Sequence, residues 1–337
     1  MDFGRFIIQR LLYLVLQLIG VITITFFFVH LLPGNPAQAL AGAGASPSSV
    51  AAIERELGLD KPLPEQYLIY VGNLLHGDLG TSIYTGQTVI ADLNQRVPAT
   101  LELVILSMIL VVVVGIPLGV YSGLRPRGVG SRAIFVYGML TGAIPDFWVG
   151  IVLIYLLFFL LAWAPAPLGQ FGIGQPPTHR TGFLLIDSLL AGDVSAFQTT
   201  LQYLSLPVVT LVVAHMPNVV KQARASVVEV IQSDFIEFAR ASGLPERVVL
   251  RYLLRNALAP VVATTAIVAG FLFGGAVLVE TVFSWGGVGQ YAVQSISNSD
   301  YAPITAFVLV AALYMAVMYL VVDVVYALLD PRIRLAK

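Results

Sequence analysis

The spacing of its charges constrains this chain more than any other feature. Six stretches are nearly free of Asp, Glu, Lys and Arg: Leu11–Leu32, Leu103–Leu124, Ala133–Ala164, Val194–Met216, Ala257–Val279 and Tyr301–Val322. A helix of about 20 apolar residues crosses the hydrocarbon layer of a bilayer. Asp146, in the third stretch, is the single charge inside any of them. The fourth is the weakest, because its firmly apolar part, Leu201–Met216, is short and contains Pro207. Hydrophobic residues make up 58% of the 337, more than a soluble domain could cover. The pattern predicts an all-α integral membrane protein with six transmembrane helices.

The charges between the stretches fix an orientation. Arg5 and Arg10 precede the first span, and Arg125, Arg127 and Arg132 separate the second from the third. Lys221, Arg224, Arg240, Arg247, Arg251 and Arg255 lie between the fourth and fifth, and Arg332, Arg334 and Lys337 follow the sixth. These are 14 of the 18 basic residues; the other side holds Arg55, Lys61, Arg96 and Arg180. By the positive-inside rule both termini are cytoplasmic.

Residues 1–32 are read as an N-terminal transmembrane helix. An Ala-Leu-Ala after it resembles a cleavage site, but the apolar stretch is longer than a signal-peptide core, so the helix is read as retained. Residues 33–98 form an external loop region rich in Pro and Gly. Ser46-Pro47 marks a helix start within it, continuing through SSVAAIEREL, so the region is expected to be a partly structured cap. Residues 99–330 carry five further helices, and 331–337 are a cytoplasmic tail. Pro165–Thr200 is a second external loop.

The cytoplasmic segment after the fourth span is unusual. Lys221–Ser233 reads as a helix continuing into the cytoplasm, and Asp234 as the N-cap of a second, short helix, with Glu237 at the capping-box position. Gly243 ends it and Pro245 follows. Phe235, Phe238, Ala239 and Ser242 share one helical face, with Glu237 and Arg240 opposite. So short a helix is marginal alone in water. It either inserts into a groove on a partner protein or lies on lipid headgroups.

Catalytic chemistry finds little support. There is no cysteine, and His30, His76, His179 and His215 lack metal-ligand spacing. No glycine loop is followed by Lys and Ser or Thr, so ATP hydrolysis by that chemistry is not expected of this chain. A stand-alone ion-coupled transporter usually needs several intramembrane ionisable groups, and only Asp146 lies deep.

The segment EFARASG (Glu237–Gly243) resembles the Glu-Ala-Ala…Gly signature of permease subunits of bacterial ATP-binding-cassette importers, with Phe238 where the first Ala is usual. LLPGNPA (Leu31–Ala37), GDLGTS (Gly77–Ser82), RVPATLEL (Arg96–Leu103), GIPLGV (Gly115–Val120), GGAVLVETVFSWGGVG (Gly274–Gly289), RNALAP (Arg255–Pro260) and ALLDPRIR (Ala327–Arg334) are similar to the dipeptide, oligopeptide and nickel branch. The resemblance covers nearly the whole chain. It implies a type I importer permease fold in a bacterial plasma membrane, with the short cytoplasmic helix at 234–243 as the coupling helix. Asp234, Phe235, Glu237, Phe238, Ala239, Arg240 and Gly243 would then meet an ATPase.

The implied partners are a second homologous permease, two cytoplasmic ATPases and an external substrate-binding protein, all around the lipid bilayer; no nucleic acid is expected. This chain would bind no cofactor, and ATP and Mg would sit on the ATPases. The cargo would be a di- or oligopeptide, or alternatively nickel, glutathione or an opine.

Four residues outside the spans, Asp78, Trp285, Gly286 and Gly287, are expected at an external mouth that receives substrate. Glu102, Glu280 and Asp323 lie near helix ends and are read as structural. Asp146 would cost about 2.5–3.5 kcal/mol if it faced lipid. Two readings stay open. It is protonated or paired with the partner permease, or it lines the path and attracts a peptide α-amino group.

Overall fold

The computed structural model describes residues 3–31, 36–42, 44–56, 58–142 and 144–329. The expected tail at 331–337, with Arg332, Arg334 and Lys337, lies outside them, as does most of the LLPGNPA motif. Thirteen α-helices and one π-helical stretch are described, and among the described residues there is no strand beyond one isolated bridge between Thr81 and Thr88. They are α1 (Phe3–His30), α2 (Pro36–Ala41), α3 (Pro47–Glu56), α4 (Leu63–Leu75), α5 (Val89–Leu124), α6 (Val129–Thr141) and α7 (Asp146–Leu153). There follow α8 (Leu184–Ala191), α9 (Val194–Ile231), α10 (Asp234–Ala241), α11 (Glu246–Phe283), α12 (Val288–Ser297) and α13 (Tyr301–Leu329).

Five of these, α1, α5, α9, α11 and α13, are long and apolar enough to cross a membrane. The third apolar stretch is not the continuous Ala133–Ala164 helix the sequence suggests, and it gives a sixth span only if its two halves count as one. That stretch is a bent pair: α6 ends at Thr141, α7 starts again at Asp146 and continues as a π-helical stretch over Ile154–Leu160, and the two halves meet at 108°, the shape of a broken span or a re-entrant loop. Pro145 causes the break. Its ψ of 144° makes it an extended N-cap, and a residue before proline is steered away from helix.

The external region also needs correction. It holds α2, α3 and α4, and α5 begins at Val89, so the boundary drawn between 98 and 99 falls inside a helix. The charges that disguise the start of α5 have partners: Asp92 accepts from Thr85 and Tyr291 hydroxyls at 2.6 and 2.7 Å. The helix start at Pro47 is as expected, with Ser46 Oγ accepting from the Ser49 amide at 3.2 Å.

The core is built on α5 against α9. Gly115, Gly119 and Gly123 form a stripe at i, i+4 and i+8 on α5. A Cβ on Gly119 would stand 2.6 Å from Ala223 Cβ and 2.7 Å from the Val220 carbonyl, and one on Gly123 would stand 2.7 Å from Val227. Bare backbone there brings the helices together, as small residues do inside membranes. Pro217 leaves the carbonyl of Val213 without its helical donor, and the Tyr137 hydroxyl of α6 supplies one at 2.7 Å. The main core joins Leu103 and Val111 of α5, Leu204 and Leu211 of α9, and Leu272, Phe273 and Val279 of α11. Towards the cytoplasmic end a second cluster holds Val227, Ile236, Ala239, Val249, Leu253 and Ala257.

Helix α1 packs along α13, and Arg10 pairs with Asp323 at 2.9 Å. Arg10 is near the start of α1 and Asp323 near the end of α13, so the two outer ends of the bundle share one membrane face. Leu12, Ile24, Ile109, Val113 and Trp148 remain exposed, an apolar exterior suited to lipid or to a second membrane subunit.

Candidate functional site

Three places carry the residues singled out from sequence. The first is α10. Ser233, not Asp234, is its N-cap; Asp234 is the first helical residue. Ser233 turns its hydroxyl back onto the Val230 carbonyl at 2.6 Å. Asp234 and Glu237 sit in the first turn, where acids complement the helix dipole. At the other end Gly243 has φ of +74°. Its amide donates to Arg240 O at 2.9 Å, and the Leu244 amide donates to Ala239 O at 3.2 Å. That is a Schellman closure, which a glycine at this position makes without strain.

The two faces of α10 differ from the expected division. Ile236 and Ala239 point inward and pack on Val227, Val249 and Leu253. Ala239 therefore anchors the helix rather than sharing the outer face. Phe235 and Phe238 stay 45% and 74% exposed, beside exposed Glu237 and Arg240. Arg240 reaches Glu246 at 3.5 Å across the turn. A short helix held from behind, with two aromatics outward, can present those rings to another protein.

The second place is in the membrane. Asp146 is the first residue of α7, and its Oδ2 lies 2.9 Å from Nε2 of His215 on α9. In the sequence His215 is one of four scattered histidines without metal-ligand spacing, and nothing there pairs it with Asp146. The signal that could have found it is an ionisable residue inside an apolar span, which needs a partner. The carboxylate thus has a donor within its own chain, and pairing with a second subunit is not required to satisfy it. The pair rests on α11: a Cβ at Gly275 would overlap the Asp146 carboxylate and stand 3.0 Å from His215 Nε2.

The third place is the outer end. Trp285 is buried, and its indole N–H donates to the Ala99 carbonyl at 3.0 Å. Gly286, at φ +81°, donates its amide to the Gln290 side chain at 2.7 Å. Gly287 lies against Glu280 and Thr100, which leave no space for a Cβ. Glu280 accepts from the Thr100 hydroxyl at 2.5 Å and from the Gln290 amide at 3.0 Å. The SWGGVG turn is therefore a folded plug between α5 and α11, and Trp285 and Gly287 do not offer side-chain or backbone surface to an incoming substrate.

Asp78 lies elsewhere. It caps the Gly80 amide at 2.9 Å and borders a cavity of about 260 Å³ with Phe26, Tyr70 and Tyr301.

Three further acids are held by hydrogen bonds within the fold. Glu102 accepts from the Leu184 and Leu185 amides at 3.3 and 2.8 Å, at the start of α8. Asp300 accepts from Ser82 Oγ at 2.7 Å and the Tyr84 amide at 3.1 Å, and burial pushes its carboxyl up from the usual range. Burial works the same way on Asp187, but the Thr181 hydroxyl and the Thr181, Arg180 and Gly182 amides outweigh it and hold that carboxyl below the usual range.

Residues 115–335 match the family described as binding-protein-dependent transport system inner membrane component. Residues 3–104 match the N-terminal part of such membrane components. The chain is 42% identical to the probable D,D-dipeptide transport system permease protein DdpB of Escherichia coli, over 99% of this chain and 98% of that one. It is 34% identical to the dipeptide transport system permease protein DppB of Alkalihalophilus pseudofirmus, over 97% and 98% of the two chains. It is 36% identical to the glutathione transport system permease protein GsiC of Pectobacterium atrosepticum, over 98% and 99%.

Proposed function

From the premise that this chain belongs to the family of binding-protein-dependent transport system inner membrane components, which the match over residues 115–335 establishes, we propose that it is a membrane subunit of an ATP-driven importer of short peptides. The near-full-length identity to permeases named for dipeptides carries the peptide assignment. The remaining partners are a second, homologous permease, two cytoplasmic ATPases that hold ATP and Mg, and an external peptide-binding protein. This chain holds no ATP itself. It forms half of the path and transmits force.

The outward face of α10 supports the coupling role. Phe235 and Phe238 enter a cleft of one ATPase, with Asp234, Glu237 and Arg240 at the rim, while Ile236 and Ala239 keep the helix fixed to α9 and α11. Closure of the ATPase pair on ATP moves α10 and switches the cavity between faces. The glutathione relative supports a second reading, in which the cargo is glutathione, itself a γ-linked tripeptide.

The test is reconstitution of the complete complex in vesicles with labelled dipeptide or glutathione and each candidate binding protein. ATP-dependent uptake of dipeptide that needs the binding protein is expected. Glutathione uptake without dipeptide uptake selects the second reading. A chain that purifies without any ATPase overturns the importer assignment.

A further inference from the structure

We propose that Asp146, steadied by His215, is a specificity residue that takes the free ammonium group of a peptide passing through the membrane; this rests on the peptide-import reading. The geometry is that of a prepared acceptor. Asp146 opens α7 immediately after Pro145, where the chain has left one helix and entered another. The amides at the start of α7 favour a carboxylate in that position. Nε2 of His215 lies 2.9 Å from Oδ2, and Oδ1 has no hydrogen-bond partner among the described residues. In the Nε2–H tautomer the imidazole donates to Oδ2 and fixes the carboxylate plane, so Oδ1 keeps its acceptor capacity.

The surroundings make this more than an ion pair sealed in a core. The side chains of His215 and Asp146 keep 11% and 22% of their surface. On α11, Gly275 gives up its Cβ position to the pair. A side chain at Gly275 would intrude on the acceptor.

A carboxylate that only accepts selects for a cationic donor and against an anion. A peptide with a free amino terminus presents such a donor. The same peptide with its amino group acylated does not. His215 acts through Asp146 and is a positioning residue.

The experiment uses the complete complex in vesicles, with the binding protein saturated separately by a dipeptide and by its N-acetyl form. Uptake and binding-protein-stimulated ATP hydrolysis are read together. The intact complex is expected to import the free dipeptide faster than the acetylated one. Asp146→Asn should lower free-dipeptide uptake about tenfold or more, the worth of a charge-assisted hydrogen bond, and change acetyl-dipeptide uptake less than about twofold. Stimulated hydrolysis should persist, which separates loss of recognition from loss of assembly. Asp146→Ser repeats the charge removal with a smaller side chain, should Asn distort α7. His215→Gln, which keeps a donor near the Nε2 position, should retain most of the preference.

Equal losses for both peptides in both Asp146 variants, or no change in either, would overturn the inference, as would an intact complex that imports both at one rate. An intact complex that imports no peptide refutes the peptide reading instead.

Discussion

Replacing Phe238 by Ala should weaken the ATPase contact more than replacing Phe235, while replacing Ile236 should damage the fold. The order follows from exposure. An aromatic side chain has about 200 Å² to bury. Phe238 is 74% exposed and Phe235 45%, leaving about 150 and 90 Å² for a partner to cover. At about 25 cal/mol per Å² the ceilings are about 3.7 and 2.3 kcal/mol. Association costs reduce the realised share, so losses of about 100-fold and 10-fold in ATPase affinity are expected.

Ile236 is fully buried behind the same helix, and cutting it to Ala should cost about 2–5 kcal/mol of membrane-domain stability. The assay titrates purified ATPase onto the detergent-solubilised permease pair, with thermal unfolding of the same samples. Unchanged affinity in Phe238→Ala, or a Phe235→Ala loss exceeding that of Phe238→Ala, would refute the idea that the exposed rings are the contact.

Two further outcomes are expected. Gly119→Ala puts a Cβ 2.6 Å from Ala223 Cβ and should lower stability by about 1–3 kcal/mol, whereas Gly20→Ala, with nothing within 4 Å, should not destabilise; thermal unfolding of the two distinguishes packing from composition. Asp187 is held below the usual carboxylate range, so it contributes stability above its unfolded value near pH 4 that is lost as pH falls through the lower folded value; hydrogen exchange at Thr181 and Gly182, corrected for intrinsic rate, should quicken there, and steady protection down to pH 2 would contradict it.

What the sequence made legible was the burial of uncharged runs. Five of the six fall on single helices and the third yields two segments, because in lipid an apolar backbone must satisfy its own hydrogen bonds. The ends of those helices were hidden where charges find tertiary partners. Asp92 and Glu102 disguised the start of α5, whereas the fourth stretch and the helix read over Lys221–Ser233 join in one α9 from Val194 to Ile231. The break at Pro145 was masked by the apolar residues on either side of it. On α10 the exposed phenylalanines were readable from periodicity, but which residue anchors the helix was not, since Ile236 is defined by α9 and α11. Asp146 and His215 stand 69 residues apart, and only the crossing of α7 over α9 joins them. The outer turn misled for the same reason: glycines that look like an open loop are there because Glu280 and Thr100 press against them.

Helices α9 and α11 each run for 38 residues and meet at α10. At 1.5 Å per residue each rod is about 57 Å long, nearly twice the hydrocarbon thickness. The far end of α11 carries Glu280, and with it the turn holding Trp285. Pro207 and Pro217 interrupt α9, and Pro260 interrupts α11. A proline inside a helix removes a hydrogen bond and gives the rod a point at which it can bend. Each rod is therefore jointed within its length, and what passes along it depends on how its neighbours hold the joints, as the Tyr137 hydroxyl holds the one at Pro217.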